Sequence, residues 1–452
     1  MANPPSCWTQ DALRRLLADL IAAEWSRLRP GLPCPRLVVD PGVEDSENSG
    51  VPSDCRRIDA GPHLPGPGSR LPEPSATGTS ASAAAPPAGG AGQDTDLDLD
   101  NLGLDSLEFL DLATTVAVQF HLFETGLDRA LLAQRRLTDW IGIIQASRAR
   151  WDQAVSFQTS GTQGRPQLHA HRMNLLAEEI DYFAARLGDR RRVLVAVPSH
   201  HIYGFLFGIM LPARLGLPVV EARDALPGGV LARARTGDLL IAHPTFLELA
   251  TRGPVRVAPG VTLVTSTAPC PEAVWRRLEA GGVNQILEIY GASETAGIGV
   301  RAASDAPFEL LPCWSRPAGA QGRILRTGAD GLPLEQALPD QVQWLATRRF
   351  RVRGRRDGAV QVGGINVFPE RVRACLLEHP EVREASVRLA SPAQGGRLKA
   401  FVVPVAASPD PAGLPGRLQV WLEARLSTAE RPRAIAVGPH LPRSPLGKLR
   451  DW

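Results

Sequence analysis

The sequence predicts a large α/β domain followed by a small α+β domain, with helices ahead of both. From Ala154 onward, short apolar runs alternate with helical stretches. After Gly354 that pattern restarts, and before Ala154 helical periodicity is broken by an interval rich in Pro, Gly, Ser and Ala. The 452 residues suit several domains, at about 100–200 residues each. A hydrophobic fraction of 44% is ample for a sizeable core.

Residues 9–28 carry apolar positions at helical spacing and read as one amphipathic helix. Between about 30 and 93 the chain cannot bury enough apolar surface to order itself, so this stretch reads as a disordered loop. Helices are expected from Asp94 to about residue 148, closing a first region over 1–148. In the second region, 154–354, the runs Arg192–Pro198, Asp238–Ala242, Val261–Ser266 and Gln285–Tyr290 resemble buried strands of a largely parallel sheet. The third, 358–452, offers a hairpin over Ala359–Val367, a helix over Pro369–Glu378 and strands at Ala385–Leu389 and Lys399–Val405.

A net charge of +3 spread among many acidic and basic residues gives no bulk argument for a nucleic-acid partner. Six scattered cysteines without a CxxC pair suit a reducing cytosol better than a disulfide framework. No apolar run approaches the roughly 20 residues of a membrane span, and the start lacks a signal-peptide profile. The expected location is cytoplasmic.

Four segments carry chemistry. Thr159-Ser160-Gly161-Thr162-Gln163-Gly164 is a Gly/Ser/Thr turn whose N–H groups and hydroxyls can wrap phosphate oxygens, or simply a turn. It is not a Walker loop, since no Gly-Lys-Ser/Thr follows. Tyr290-Gly291-Ala292-Ser293-Glu294-Thr295 ends an apolar strand, where ligands sit in open α/β sheets. There an aromatic ring can stack on a base, and a hydroxyl and a carboxylate can reach phosphate and Mg²⁺. Gly354-Arg355-Arg356-Asp357-Gly358 precedes a glycine pair, Gly363-Gly364. Finally, of 50 Lys+Arg residues only two are lysines, Lys399 and Lys448. The second lies in Ser444-Pro445-Leu446-Gly447-Lys448, and a lysine that survives such an arginine bias suggests a need for a compact point charge.

Together, in this order, these segments resemble the acyl-adenylate-forming ligases, the superfamily of acyl-CoA synthetases, luciferases and nonribosomal-peptide adenylation domains. The resemblance covers about residues 154–452 and is strongest over Gly354–Val387. It implies ATP-dependent activation of a carboxylic acid. Thr159, Ser160, Gly161, Thr162 and Gly164 would hold the ATP phosphates. Tyr290 and Gly291 would flank adenine on one side, and Ala268 within Ser266–Pro269 on the other. Asp340 and Arg355 would contact ribose, Ser293 the α-phosphate, and Glu294 the Mg²⁺. Asp357 would be the hinge to a mobile C-terminal domain, Gly363 and Gly364 would line the thiol tunnel, and Lys448 would bridge carboxylate and α-phosphate. His201, in Ser199-His200-His201-Ile202-Tyr203, matches an acyl-pocket position of aryl-acid ligases, although a structural histidine fits too. His169-Ala170-His171 reads as surface histidines rather than a metal site, and the arginines of 348–356 as a solvated strand face.

Gly103-Leu104-Asp105-Ser106-Leu107 follows an acidic stretch and opens an amphipathic helix. Asp105 or Ser106 could simply cap that helix. The segment also resembles acyl carrier proteins, which implies 4′-phosphopantetheine on Ser106 and a helical carrier-like bundle ahead of the ligase. The large adenylating domain would then be truncated at its N-terminus. The family's usual lysine near the end of the phosphate loop is Gln167 here, and its Thr-Gly-Asp motif is reduced to Leu338-Pro339-Asp340.

The expected function is activation of an aromatic acid, hydroxybenzoate- or hydroxycinnamate-like, and its transfer to a phosphopantetheine thiol of a carrier in cis or trans. A CoA ligase, a fatty-acid AMP ligase and a catalytically decayed docking scaffold are the alternatives.

Overall fold

The computed structural model describes residues 7–29, 32, 34–35, 96–159, 167–317, 319, 322–328, 331–355, 358–363, 365–391, 394–406, 408, 410–442 and 452. The loop expected over 30–93 falls almost wholly outside them.

Helix α1 (Gln10–Leu28) starts on Thr9, whose side chain accepts from Ala12 N. Helix α2 (Ser106–Phe120) opens with a capping box. Asp105 accepts from the N–H groups of Leu107 and Glu108, and Glu108 accepts from Asp105 N. Helices α3 (Asp128–Leu132) and α4 (Leu137–Arg150) lead into a hairpin of β1 (Ala154–Thr159) and β2 (Gln167–Arg172), with Thr159 opposite Gln167. Helix α5 (Met173–Leu187) follows.

The main sheet is built from β3 (Arg192–Val195), β4 (Val219–Glu221), β5 (Asp238–Ala242), β6 (Thr262–Thr265), β7 (Gln285–Ala292), β8 (Ala296–Arg301) and β9 (Phe308–Leu310). A separate small sheet of β10 (Trp314–Ser315), β11 (Arg323–Thr327) and β12 (Pro333–Ala337) intervenes before β13 (Asp340–Ala346) and β14 (Arg349–Arg355) rejoin the main one. Its order is β13-β14-β9-β8-β7-β6-β5-β3-β4. Strands β3, β5, β6 and β7 run parallel and bury both faces, and half-buried β4 pairs parallel with β3 at the edge. Val193, Val195, Leu239 and Ile241 meet one apolar core, while the alternating Leu194, Ala196, Leu240 and Ala242 meet a second on the opposite face. The four expected strands are all present. The sheet is less parallel than expected, because the connection from β7 to β8 is too short for a crossover and forces an antiparallel pair. On β14, Phe350 is buried while Arg349, Arg351 and Arg353 are exposed, as the alternation suggested.

The helices of 1–148 exist but do not stand apart as a bundle. Trp8 packs on Phe120 and on Phe205, with ring centroids 5.8 and 5.6 Å away. Leu16, Phe120 and Trp140 share one continuous apolar core with Phe157 and Val195. Arg148 donates to the carbonyls of Phe120 and Ala154, at 3.2 and 2.7 Å. The apolar face of α1 packs on α2 and α4, and that packing runs on without a break into the core of the α/β domain, which periodicity alone does not reveal.

The C-terminal part has its own core, centred on Val372, Leu376, Leu398, Val402 and Leu418. It comprises a hairpin of β15 (Val360–Val362) and β16 (Ile365–Val367), helices Pro369–Leu377 and Leu414–Glu423, and a sheet of β17 (Val382–Leu389), β18 (Leu398–Pro404) and β19 (Ala434–Val437). Among the described residues no helix is long and apolar enough to cross a membrane.

Candidate active site

The carboxyl ends of the parallel strands are where an open α/β sheet offers a ligand crevice. At one of them, β7 turns into β8 through Ser293-Glu294-Thr295, with Ala292 facing Ala296. A three-residue hairpin connection needs a left-handed residue after its turn. Ala296 supplies it, at φ 58°, a conformation that costs a non-glycine residue about 1–2 kcal/mol.

Neighbouring groups hold this hairpin tip in place. Thr295 Oγ1 accepts from Ala292 N at 3.2 Å and donates to Ala296 O at 3.0 Å. Gly297 N donates to both carboxylate oxygens of Glu179 on α5, each 3.1 Å away. Gly297 O accepts from Trp314 Nε1 at 2.8 Å. From β2, His171 Nε2 donates to the Ser293 carbonyl at 2.6 Å. That bond ties the hairpin that brackets the glycine turn to the one that carries Glu294. His171 is thus not the surface histidine expected from the sequence. Burial pushes its pKa down to about 4, so the ring is neutral at pH 7. Burial also pushes the Glu179 carboxyl up to about 7, against the pull of Arg326.

A cavity of about 590 Å³ opens beside this tip. Thr267, Ala268 and Pro269 line it from the end of β6, Tyr290 and Gly291 from β7, and Asp340 from the start of β13. Tyr290 donates its phenol to Asp340 Oδ2 at 2.8 Å, and its ring packs on Phe308 and Phe350 at 5.6 and 5.5 Å. Thr267 sits at φ 80°, a second non-glycine residue in the left-handed region, and it lies on the cavity wall. Glu288, also on the wall, accepts from Arg301 Nε and Nη2 at 3.1 and 2.8 Å. Gln361 and Leu389 contribute from the C-terminal part.

The structure therefore brings Ala268, Tyr290, Gly291 and Asp340 to one cavity. The backbone of Arg355 lies opposite Asp340 in the β13–β14 register. Ser293 and Glu294, both half-buried, sit on the adjoining hairpin tip. Gly363, at φ 60°, is exposed in the turn between β15 and β16. His201 stands at the N-cap position of helix α6 (Ile202–Phe205) without a side-chain capping bond, and it does not line the cavity. Tyr203 places α6 at the strand ends by donating to the carbonyls of Ala242 and Val264, at 3.2 and 2.8 Å. Just before it, Asp19 of α1 accepts from Ser199 N and Oγ, each at 2.6 Å, and also pairs with Arg223. Ser160, Gly161, Thr162, Gly164, Asp357, Gly364 and Lys448, with the side chains of Thr159 and Arg355, lie outside the described residues. Glu179, His171 and Asp19 were missed in the sequence. A Glu or Asp on an amphipathic helix carries no signal of the strand end it will reach.

Residues 108–331 match the AMP-binding enzyme family and residues 372–448 the C-terminal domain of AMP-binding enzymes. The chain is 37% identical over 346 residues to a 4-coumarate–CoA ligase of Halorhodospira halophila, covering 76% of this chain and 87% of that one. With a 4-coumarate–CoA ligase of Cereibacter sphaeroides it shares 37% identity over 366 residues, covering 78% and 84%. A solved double mutant of o-succinylbenzoate CoA synthetase from Bacillus subtilis superposes with a TM-score of 0.53 at 22% identity, over 66% of this chain and 68% of that chain, and shows the same fold. The chain belongs to the AMP-binding enzyme family. It is an acyl-adenylate-forming ligase that uses ATP to adenylate a carboxylic acid.

Proposed function

We propose that this ligase activates an aromatic acid of the hydroxycinnamate type and passes the acyl group to CoA. The observation that carries this reading is the similarity to the two 4-coumarate–CoA ligases, which extends over most of their length. In the proposal, Tyr290 and Ala268 flank adenine in the cavity, and Asp340 meets the ribose together with Arg355. Thr159, Ser160, Gly161, Thr162 and Gly164 hold the phosphates. Ser293 contacts the α-phosphate, where the acid's carboxylate attacks and pyrophosphate leaves. Lys448 offsets the repulsion between the two anions. Asp357 is the hinge by which the C-terminal domain turns. Gly363 and Gly364 then line the path of the thiol, which attacks the acyl carbonyl as AMP departs. His201 faces the acid, and the setting is cytoplasmic.

Among the described residues no cluster of three or more His, Cys, Asp or Glu could hold a metal unaided. A single carboxylate, Glu294, on a partly exposed tip suits a Mg²⁺ that arrives with the nucleotide and keeps most of its water and phosphate ligands. Bound there, the ion would neutralise phosphate charge.

A thiol on Ser106 is the second reading. Ser106 is exposed at the first turn of α2, beside the exposed acids Asp105 and Asp111, and so is open to a modifying enzyme. Against it stands the packing of α2 on β1, within a core shared with the α/β domain. Pyrophosphate exchange over hydroxycinnamates, benzoates and fatty acids, with CoA or pantetheinylated carrier as acceptor, tests both readings. Exchange with fatty acids alone refutes the aromatic assignment. An acyl-pantetheine mass on Ser106, with no acyl-CoA formed, replaces the CoA reading with the carrier one.

A further inference from the structure

The molecule spends a fully buried carboxylate on one backbone N–H. Glu179 is 1% exposed, and both of its oxygens lie 3.1 Å from Gly297 N. Residue 297 follows the left-handed Ala296, so the strained turn itself determines where this N–H points. A side chain at 297 would run into the Glu179 carboxylate, which leaves glycine as the fitting residue. The carbonyl of the same residue is taken by Trp314 Nε1 at 2.8 Å. Ser293 and Glu294 stand on the tip that these bonds immobilise. On the far side, Arg326 lies close enough to favour the ionised form of Glu179, and it is itself bound to Glu178 at 2.9 Å.

We propose that Glu179 is a positioning residue for adenylation, holding the Ser293–Glu294 tip in register through the Gly297 N–H. This rests on the reading that the tip meets the nucleotide phosphates. A buried carboxylate is an expensive acceptor for a neutral amide, since desolvation acts against its charge. Its placement makes sense as a fixed strut beneath a strained turn. The strut acts by accepting a hydrogen bond, so an amide, which keeps one of the two acceptor oxygens, serves in large part and an alkyl group does not.

The test compares Glu179→Leu with Glu179→Gln, each alone and combined with Ala296→Gly, in the full-length chain. Pyrophosphate exchange, half-saturation by Mg²⁺, and hydrogen exchange over residues 293–299 in the ligand-free protein are measured. Glu179→Leu is expected to lose exchange activity by about 10- to 100-fold, the scale of a small misplacement of catalytic groups. It should also raise the Mg²⁺ half-saturation and speed amide exchange at the tip. Glu179→Gln should stay within about 3-fold of wild type, well below a factor of ten. Ala296→Gly, which relieves the strain that Glu179 restrains, should recover part of the loss in the Leu variant. Unchanged Mg²⁺ half-saturation and tip exchange in a folded Glu179→Leu overturns the proposal. If that variant does not fold, a Glu179→Gln as inactive as Glu294→Gln overturns it. Glu294→Gln run in parallel separates the two levels. If it leaves Mg²⁺ dependence untouched, the assignment of the tip fails, whatever the tip's amide exchange shows about Glu179.

Discussion

Replacing Glu179 by Gln should stabilise the protein at high pH and do little at low pH. Burial raises this carboxyl from 4.5 to about 7. A group whose pKa is raised on folding binds its proton more tightly in the folded state. Its favourable contribution is complete below pH 4.5 and is lost as pH rises through 7. A shift of this size, at 1.36 kcal/mol per pH unit, corresponds to about 3 kcal/mol in all, most of it between pH 5 and pH 8. Gln at this position can accept from Gly297 N without carrying a charge. The stability difference between variant and wild type should therefore move in the variant's favour by about 2–3 kcal/mol from pH 5 to pH 8. Thermal midpoints of both proteins at each pH measure it, because titrations elsewhere cancel in the comparison. At about 2 °C per kcal/mol for a large domain, the relative midpoint should shift by about 5 °C. A difference that stays constant over that range would refute the reasoning, since Glu179 would then titrate alike in the folded and unfolded chain.

His171 has the opposite sign. Its pKa falls from 6.5 to about 4, so its contribution is complete above pH 6.5 and is lost as pH drops through 4; a His171→Gln variant should resist acid unfolding better than wild type, by thermal midpoint at pH 4. Tyr290→Phe removes the phenol that donates to Asp340 at 2.8 Å. Such a bond to a carboxylate is worth about 1.5–3 kcal/mol, and AMP binding by calorimetry should weaken about 10-fold. Trp8→Ala should cost about 3–5 kcal/mol, and AMP binding should be lost in the same thermal transition as the helices; an independent N-terminal bundle would melt first and leave binding intact. Lys448→Ala should abolish ATP–pyrophosphate exchange, and near-normal exchange would remove that lysine from the chemistry.

Elements with a strong local pattern were legible in the sequence. The helix expected over 9–28 is found at Gln10–Leu28, and the run Asp238–Ala242 is a strand at those same bounds. That Tyr290 and Asp340 would meet at one cavity was legible too, because they sit in motifs whose spacing survives even where Thr-Gly-Asp has eroded. What stayed hidden depends on tertiary partners. The buried stripe of α1 looks the same whether the sister helices it packs on form a separate bundle or share one core with a sheet. Its polar exception, Asp19, is 5% exposed only because Ser199 and Arg223 arrive from about 180 and 204 residues further along. His171 stayed hidden for a related reason. A histidine in an edge hairpin looks solvated until the strand turn that covers it is known.

The bond from Asp19 to Ser199 has a consequence for how this ligase can be altered. Ser199 directly precedes His200 and His201, so the first helix props up a turn at the strand ends from behind. Trimming or refashioning the chain's opening would be felt at that turn before it was felt as unfolding. On the proposal that His201 faces the acid, preference among acids would drift through changes made to the helix behind that turn.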